Sequence, residues 1–234
     1  MNSLLRLIFD KLNQHNLAYC VLRDFDRLAT MDVAGSELDL LIASDQVEEF
    51  DTLMGKLGFI ALSRRWEYPH THYIVDLGEG ASEFEIDVVT QITFGNPVRE
   101  LYTDLAERCL EQRRFIDGVY VPRPEDELLM LLLHCLLDKG QIKPHRAARI
   151  KALREQVVDQ DYLSALFAHY WSSQVSWSQI DALIARGDWQ ELLKQRKAVA
   201  LHLARQDRFG TWTRALSKRA LRKLDRFARI IQSG

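Results

Sequence analysis

The chain has little of what marks a secreted or membrane-spanning protein. Of its 234 residues only three are cysteine, Cys20, Cys109 and Cys135. Their spacing suits neither a zinc site nor a disulfide framework, so the expected setting is a reducing cytoplasm. No apolar run exceeds Leu128–Leu133, against the roughly 20 residues needed to cross a bilayer. The N-terminal stretch MNSLLRLIFDKL is amphipathic and meets Asp10 where a secretion signal would still be apolar. With 11 Gly and 5 Pro beside 47% hydrophobic and 27% charged residues, collagenous, low-complexity and disordered chains are excluded. Absent too are G-x-x-x-x-G-K-[ST], which removes a P-loop kinase, and G-x-S-x-G. Strong charge of one sign is also missing: the net is −2, which argues against bulk nucleic-acid binding.

That small net conceals a division. Residues 196–234 hold 11 of the 31 basic residues and 2 of the 33 acidic ones, a net of +9 against −11 for the remainder. An acidic body with a basic arm is expected.

Leu4, Leu5, Ile8 and Leu12 recur at helical spacing, and His15-Asn16 ends that helix. Strands are expected over AYCVLRDF (18–25), ELDLLIAS (37–44), Phe59–Leu62, Tyr73–Leu77 and Phe84–Val89, the last two joined by the hairpin-like GEGAS. Gln46 to Leu57 reads as a helix stopped by Gly58. In RPEDELLMLLLHCLLDKG, Pro124 precedes an acidic first turn and Lys139-Gly140 closes an apolar body, the start and stop signals of a helix. Helices are expected after it at 147–158, 162–171, 177–186, 189–206 and 211–232. The reading is therefore an α+β domain, 1–121, followed by an all-helical domain, 122–234, that ends in a basic amphipathic helix.

Glu37 and Asp39 stand two apart on an expected strand and so share a face, with Leu38, Leu40 and Ile42 opposite. Glu85 and Asp87 repeat the pattern against Phe84, Ile86 and Val88. Neighbouring strands of this kind gather like charges that repel unless a cation lies between them. Hard divalent ions accept such oxygens and complete their shell with water and substrate phosphates. A pair of them can orient an attacking oxygen and a leaving pyrophosphate.

GSELDLLI followed by EFEIDVV resembles the metal-binding core of the DNA polymerase β-like nucleotidyltransferase superfamily. The order VLRDF, ELDLLI, EIDVV, VPRPEDELLMLLLHCLLDKG is similar to small bacterial nucleotidyltransferase-like proteins. Some of those are linked to polysaccharide biosynthesis and some precede a thymidylate-kinase-like domain. The resemblance implies a mixed sheet with flanking helices, Mg²⁺ (or Mn²⁺) as cofactor and an NTP as substrate. It implies that Glu37, Asp39 and Asp87 ligate metal and that Asp87 also deprotonates an acceptor hydroxyl. The family's Gly-Ser lies about ten residues before the paired acids. Here Gly35-Ser36 directly precedes them, and Leu22-Arg23-Asp24 occupies the upstream position. Arg23 is thus the expected phosphate contact, with Ser36 and Lys139 as further nucleotide contacts.

A second reading stays open: a non-catalytic or partner-dependent module that binds a nucleotide or glycan intermediate. Its basic arm, 196–234, would dock to a kinase or to the inner membrane face. An RNA-modifying toxin ranks lower because the body is acidic. Glu85 is read as a group behind the ligands. His134 and Asp138 share a helix face, as a basic rim with Lys139, Lys143, His145, Arg146 and Arg149 or as a satisfied buried pair. His70 and His72 in YPHTHY look metal-like, but two exposed histidines on a strand are more commonly inert. Trp212, Leu216, Ala220, Leu224, Phe227 and Ile231 form an apolar stripe along the arm, open to packing on the body, a membrane surface, RNA or a partner.

Overall fold

Leu5, Ile8, Phe9 and Leu12 are buried along one face of α1 (Ser3–Gln14), whose first turn is capped by the Asn2 side chain accepting from the Leu4 amide at 2.8 Å. The structure is a computed structural model. It describes residues 1–23, 25–62, 69–78, 83–95, 100–171, 175–207, 210, 211, 213, 214, 216, 217 and 220. After α1 come β1 (Tyr19–Val21), β2 (Glu37–Ile42), α2 (Val47–Lys56), β3 (Ile60–Leu62), β4 (His70–Asp76) and β5 (Glu83–Val89). Next are β6 (Thr93–Phe94), β7 (Leu101–Tyr102), α3 (Leu105–Gln112), β8 (Arg114–Ile116) and β9 (Val119–Val121). The remainder is helical: α4 (Pro124–Leu133), a π-helical turn His134–Lys139, α5 (Pro144–Gln156), α6 (Gln160–Tyr170), α7 (Trp177–Arg186), α8 (Trp189–Lys194) and α9 (Arg196–Gln206).

These elements form two compact units, Met1–Ile92 with Asp104–Arg123, and Thr93–Thr103 with Pro124–Gly234. The first is built on a five-stranded sheet in the order β1-β2-β5-β4-β3. Among the described residues only the β2–β5 pair of this sheet runs parallel, so the sheet is mixed as expected. Alternation along β2 and β5 sends Leu38, Leu40, Phe84, Ile86 and Val88 into one buried cluster with the α1 face, Phe50 and Met54 of α2, and Val119 and Val121 of β9. The charged residues of those two strands are left to the other face.

In the second unit every residue of α4 is buried, including the acids of its first turn. Each of those acids meets a donor within the unit. Glu125 accepts from the Val158 and Asp159 amides, both at 3.0 Å. Asp126 accepts from the Tyr162 hydroxyl at 2.8 Å, and Glu127 from Arg149 Nε and Nη2 at 2.9 and 2.6 Å. On the π-helical turn, buried His134 and Asp138 are bonded to one another at 2.8 Å. Asp138 also accepts from the Gly95 amide at 2.7 Å. The pair is therefore satisfied and internal, not part of a basic rim.

Departures from expectation are local. The strand expected over 18–25 stops at Val21, and Phe25–Arg27 forms a 3₁₀ turn. The helix expected over 189–206 is two helices parted at Gln195. Helix α3 and strands β6 to β9 lie outside the sequence reading, the strands because two or three residues carry too little periodicity to register. Residues 79–82 of the GEGAS connection and most of the arm beyond 207 lie outside the described residues. Cys20, Cys109 and Cys135 are buried as thiols. Among the described residues no helix is long and apolar enough to cross a membrane.

Candidate active site

The parallel register of β2 and β5 sets Glu37 against Glu85 and Asp39 against Asp87. Residues in register share a face of the sheet, so four carboxylates meet there. Glu37, Asp39 and Asp87 each bring a ligand oxygen within 4.8 Å of the other two. These are the three acids that the sequence singles out. Asp87 is buried, Asp39 half-buried and Glu37 exposed at the start of its strand.

Crowding leaves an electrostatic signature. Although Glu37 is exposed as a residue, its carboxyl is held above its ordinary value, first by its partial withdrawal from water and then by the charges of Asp39, Asp87 and Glu85, with Arg23 opposing. Arg23 reaches the cluster from the segment after β1 and donates from Nη2 to Asp39 Oδ1. Burial pulls its guanidinium down, but the charge and hydrogen bond of Asp39, joined by Asp87 and Glu37, outweigh that and raise it. One cation thus serves several anions.

A cleft of about 410 Å³ opens beside the cluster, lined by Arg23, Ser36, Glu37 and Asp39, all candidates on sequence grounds. Arg27 and Thr30 line it too. They sit on an irregular segment, where no periodicity could single them out. Ser36 also shapes the backbone here. Its hydroxyl donates to the Asp32 carbonyl, and its own carbonyl accepts from the Glu85 amide at 3.2 Å. Gly35, at φ +67, bonds its amide to the Glu83 carbonyl at 2.9 Å. Gly35-Ser36 is therefore the turn that launches β2 alongside β5, a left-handed position suited to glycine. Lys139 lies in the second unit, exposed at the end of the π-helical turn.

Two residues that the sequence suggests are inert belong to this face. Strand β4 begins earlier than expected, at His70, and pairs antiparallel with β5. His70 Nδ1 lies 2.7 and 2.9 Å from the two oxygens of Asp87, and His72 Nδ1 lies 2.6 Å from Glu85 Oε1. His70 is buried, which corrects the expectation of an exposed pair. A signal for this is present in the sequence: H-x-H has the same two-residue step as E-x-D, so both pairs fall on one face, and with His72 opposite Asp87 and His70 opposite Val89 each histidine reaches its acid diagonally.

The donor set suits a hard divalent cation. Three carboxylate oxygens converging on one point are the ligands that Mg²⁺ or Mn²⁺ accepts, whereas soft metals would want thiolates.

No family model and no curated protein matches the chain. Two solved structures are similar to it. The lincosamide antibiotic adenylyltransferase LnuA with lincomycin bound is 12% identical over 67% of this chain and 98% of that one, with a TM-score of 0.42. The antibiotic-resistance factor ANT(2'')-Ia is 11% identical over 80% of this chain and 96% of that one, also at 0.42.

Proposed function

We propose that the chain is a divalent-metal-dependent nucleotidyltransferase that moves an NMP from an NTP to an acceptor hydroxyl. The observation that carries this reading is the convergence of Glu37, Asp39 and Asp87 beside a cleft lined by Arg23 and Arg27. A cleft of this volume is of the size that small-molecule sites have. Mg²⁺ or Mn²⁺, held by the three acids, would supply positive charge to the phosphates.

The protein's own groups have separate roles. Arg23 and Arg27 bind the polyphosphate as it enters, and Ser36, which lines the same cleft, adds a hydroxyl contact. Lys139 is a nucleotide contact only as the family resemblance implies it. Asp87 accepts the proton of the acceptor hydroxyl as the new O–P bond forms and pyrophosphate leaves. The reading takes 1–121 as the nucleotidyltransferase-like domain and 122–234 as a helical domain that ends in the basic arm.

Titration of the four common NTPs with Mg²⁺ into wild type and Asp39→Ala tests it, with pyrophosphate release followed in parallel. Binding of at least one NTP is expected in wild type, with loss of binding and turnover in the variant. Equal binding and equal turnover in the two proteins would sink the proposal. Metal-independent binding that survives both Asp39→Ala and Asp87→Ala would favour a non-catalytic module.

A further inference from the structure

We infer that His70 is a positioning residue for Asp87, a role that rests on the reading of Asp87 as a metal ligand and base. A carboxylate can only accept, so the ring nitrogen facing it carries the proton. His70 Nδ1 lies 2.7 Å from one Asp87 oxygen and 2.9 Å from the other. A donor so nearly equidistant fixes the rotation of the carboxylate plane. Both side chains are only 8% exposed, so water competes little for that hydrogen bond. Strand pairing holds them from both sides: β5 is flanked by β2 and β4, and Asp87 is in register with Asp39 on one side and His72 on the other.

One step along the same strands, His72 makes the same kind of contact with Glu85 at 2.6 Å. The outcome differs. Asp87 stays within the converging trio, while Glu85, held by His72, is not part of it. The two histidines therefore act on the four carboxylates unequally. His70 steadies a ligand, and His72 holds the fourth acid on the β4 side. This makes His72 a built-in control for charge and for strand stability.

The experiment measures Mn²⁺ affinity by calorimetry and electron paramagnetic resonance on the full chain. The variants are His70→Asn, His70→Gln, His72→Gln and Asp87→Asn. An asparagine amide nitrogen falls near the position of Nδ1, whereas a glutamine nitrogen falls near Nε2. Partners behind ligands typically change metal affinity by about 10- to 100-fold when lost. His70→Gln should lose affinity in that range, His70→Asn should stay within about threefold of wild type, and His72→Gln should do the same. Equal affinity in His70→Gln and wild type, with Asp87→Asn impaired, would overturn the role of His70 and leave the nucleotidyltransferase reading intact. Equal losses in His70→Gln and His72→Gln would also overturn it, since the effect would then be one of general charge. Wild-type protein that binds no Mn²⁺ would overturn both.

Discussion

Each unit carries a group of acids against buried surroundings, and the two groups are arranged oppositely. On α4, Glu125, Asp126 and Glu127 are consecutive, so their side chains fan out around the helix and each finds its own donor: two amides, a tyrosine hydroxyl, a guanidinium. On β2 and β5 the acids are two apart and in register, so their side chains meet on one face. There partial desolvation, joined by a field of like charge, drives the Glu37 carboxyl above its ordinary value. Acids that diverge to separate partners hold a fold together. Acids that converge leave a field that a ligand can answer. The contrast follows from the period of the backbone, close to 3.6 in one case and 2 in the other.

The largest effect that would test this contrast is on turnover. Asp39→Asn or Asp87→Asn should lower nucleotidyl transfer by about 10³-fold, roughly 4 kcal/mol of barrier, while the melting temperature changes little. Pyrophosphate release and thermal unfolding measured on the same preparations check it. A collapse of stability with activity lost only in proportion would make the strand acids structural, like those of α4.

The reverse pattern is expected in the second unit. Glu125→Ala removes the acceptor of two amides, each of which then loses its partner in a half-buried setting. At about 1–3 kcal/mol for each such group, the loss of stability should be about 2–6 kcal/mol. Urea unfolding would show it, with Mn²⁺ affinity unchanged. A smaller cost, about 1–2 kcal/mol, is expected for Arg149→Met. Its ion pair with Glu127 is less enclosed, the side chains being 21% and 11% exposed, so solvent screens what the buried limit would give. Adding Glu127→Gln to Arg149→Met should recover part of that loss, because the orphaned charge is removed.

Both acid groups are visible in the sequence, but only one reveals its use there. Glu37, Asp39 and Asp87 are legible because a two-residue step on a strand dictates a shared face whatever the neighbours are. Their mutual approach is not, since it depends on β2 and β5 pairing in parallel across an intervening α2, β3 and β4. The acids of α4 read as ordinary first-turn residues facing the helix dipole. Their burial comes from Arg149, Val158, Asp159 and Tyr162, donors 22 to 36 residues away that no local pattern announces. His70 escapes a sequence reading for a related reason: its burial and its partner both come from β5, seventeen residues on. The main strands and the helical second half are legible from periodicity and the mixed sheet only from the family resemblance, whereas β6 to β9 are too short to carry any.

The gentlest probe acts on Glu37 alone. Its folded carboxyl titrates above the ordinary glutamate value of 4.5. Between that value and the raised one the folded protein binds a proton that the unfolded chain has released, so stability falls as pH rises through the window. Above the window the whole cost of ionising Glu37 is present, and below 4.5 it is gone because both states are protonated. Glu37→Gln should therefore raise the melting temperature at neutral pH, with the gain fading as the pH drops toward 4.5 and absent below it. The same variant should weaken Mn²⁺ binding, since it removes one of the three converging oxygens. Opposite signs from one substitution, steadier fold and poorer ligand, are what a convergent cluster requires. A variant that lost stability at neutral pH would instead place Glu37 with the acids of α4, as a group held by its own partner.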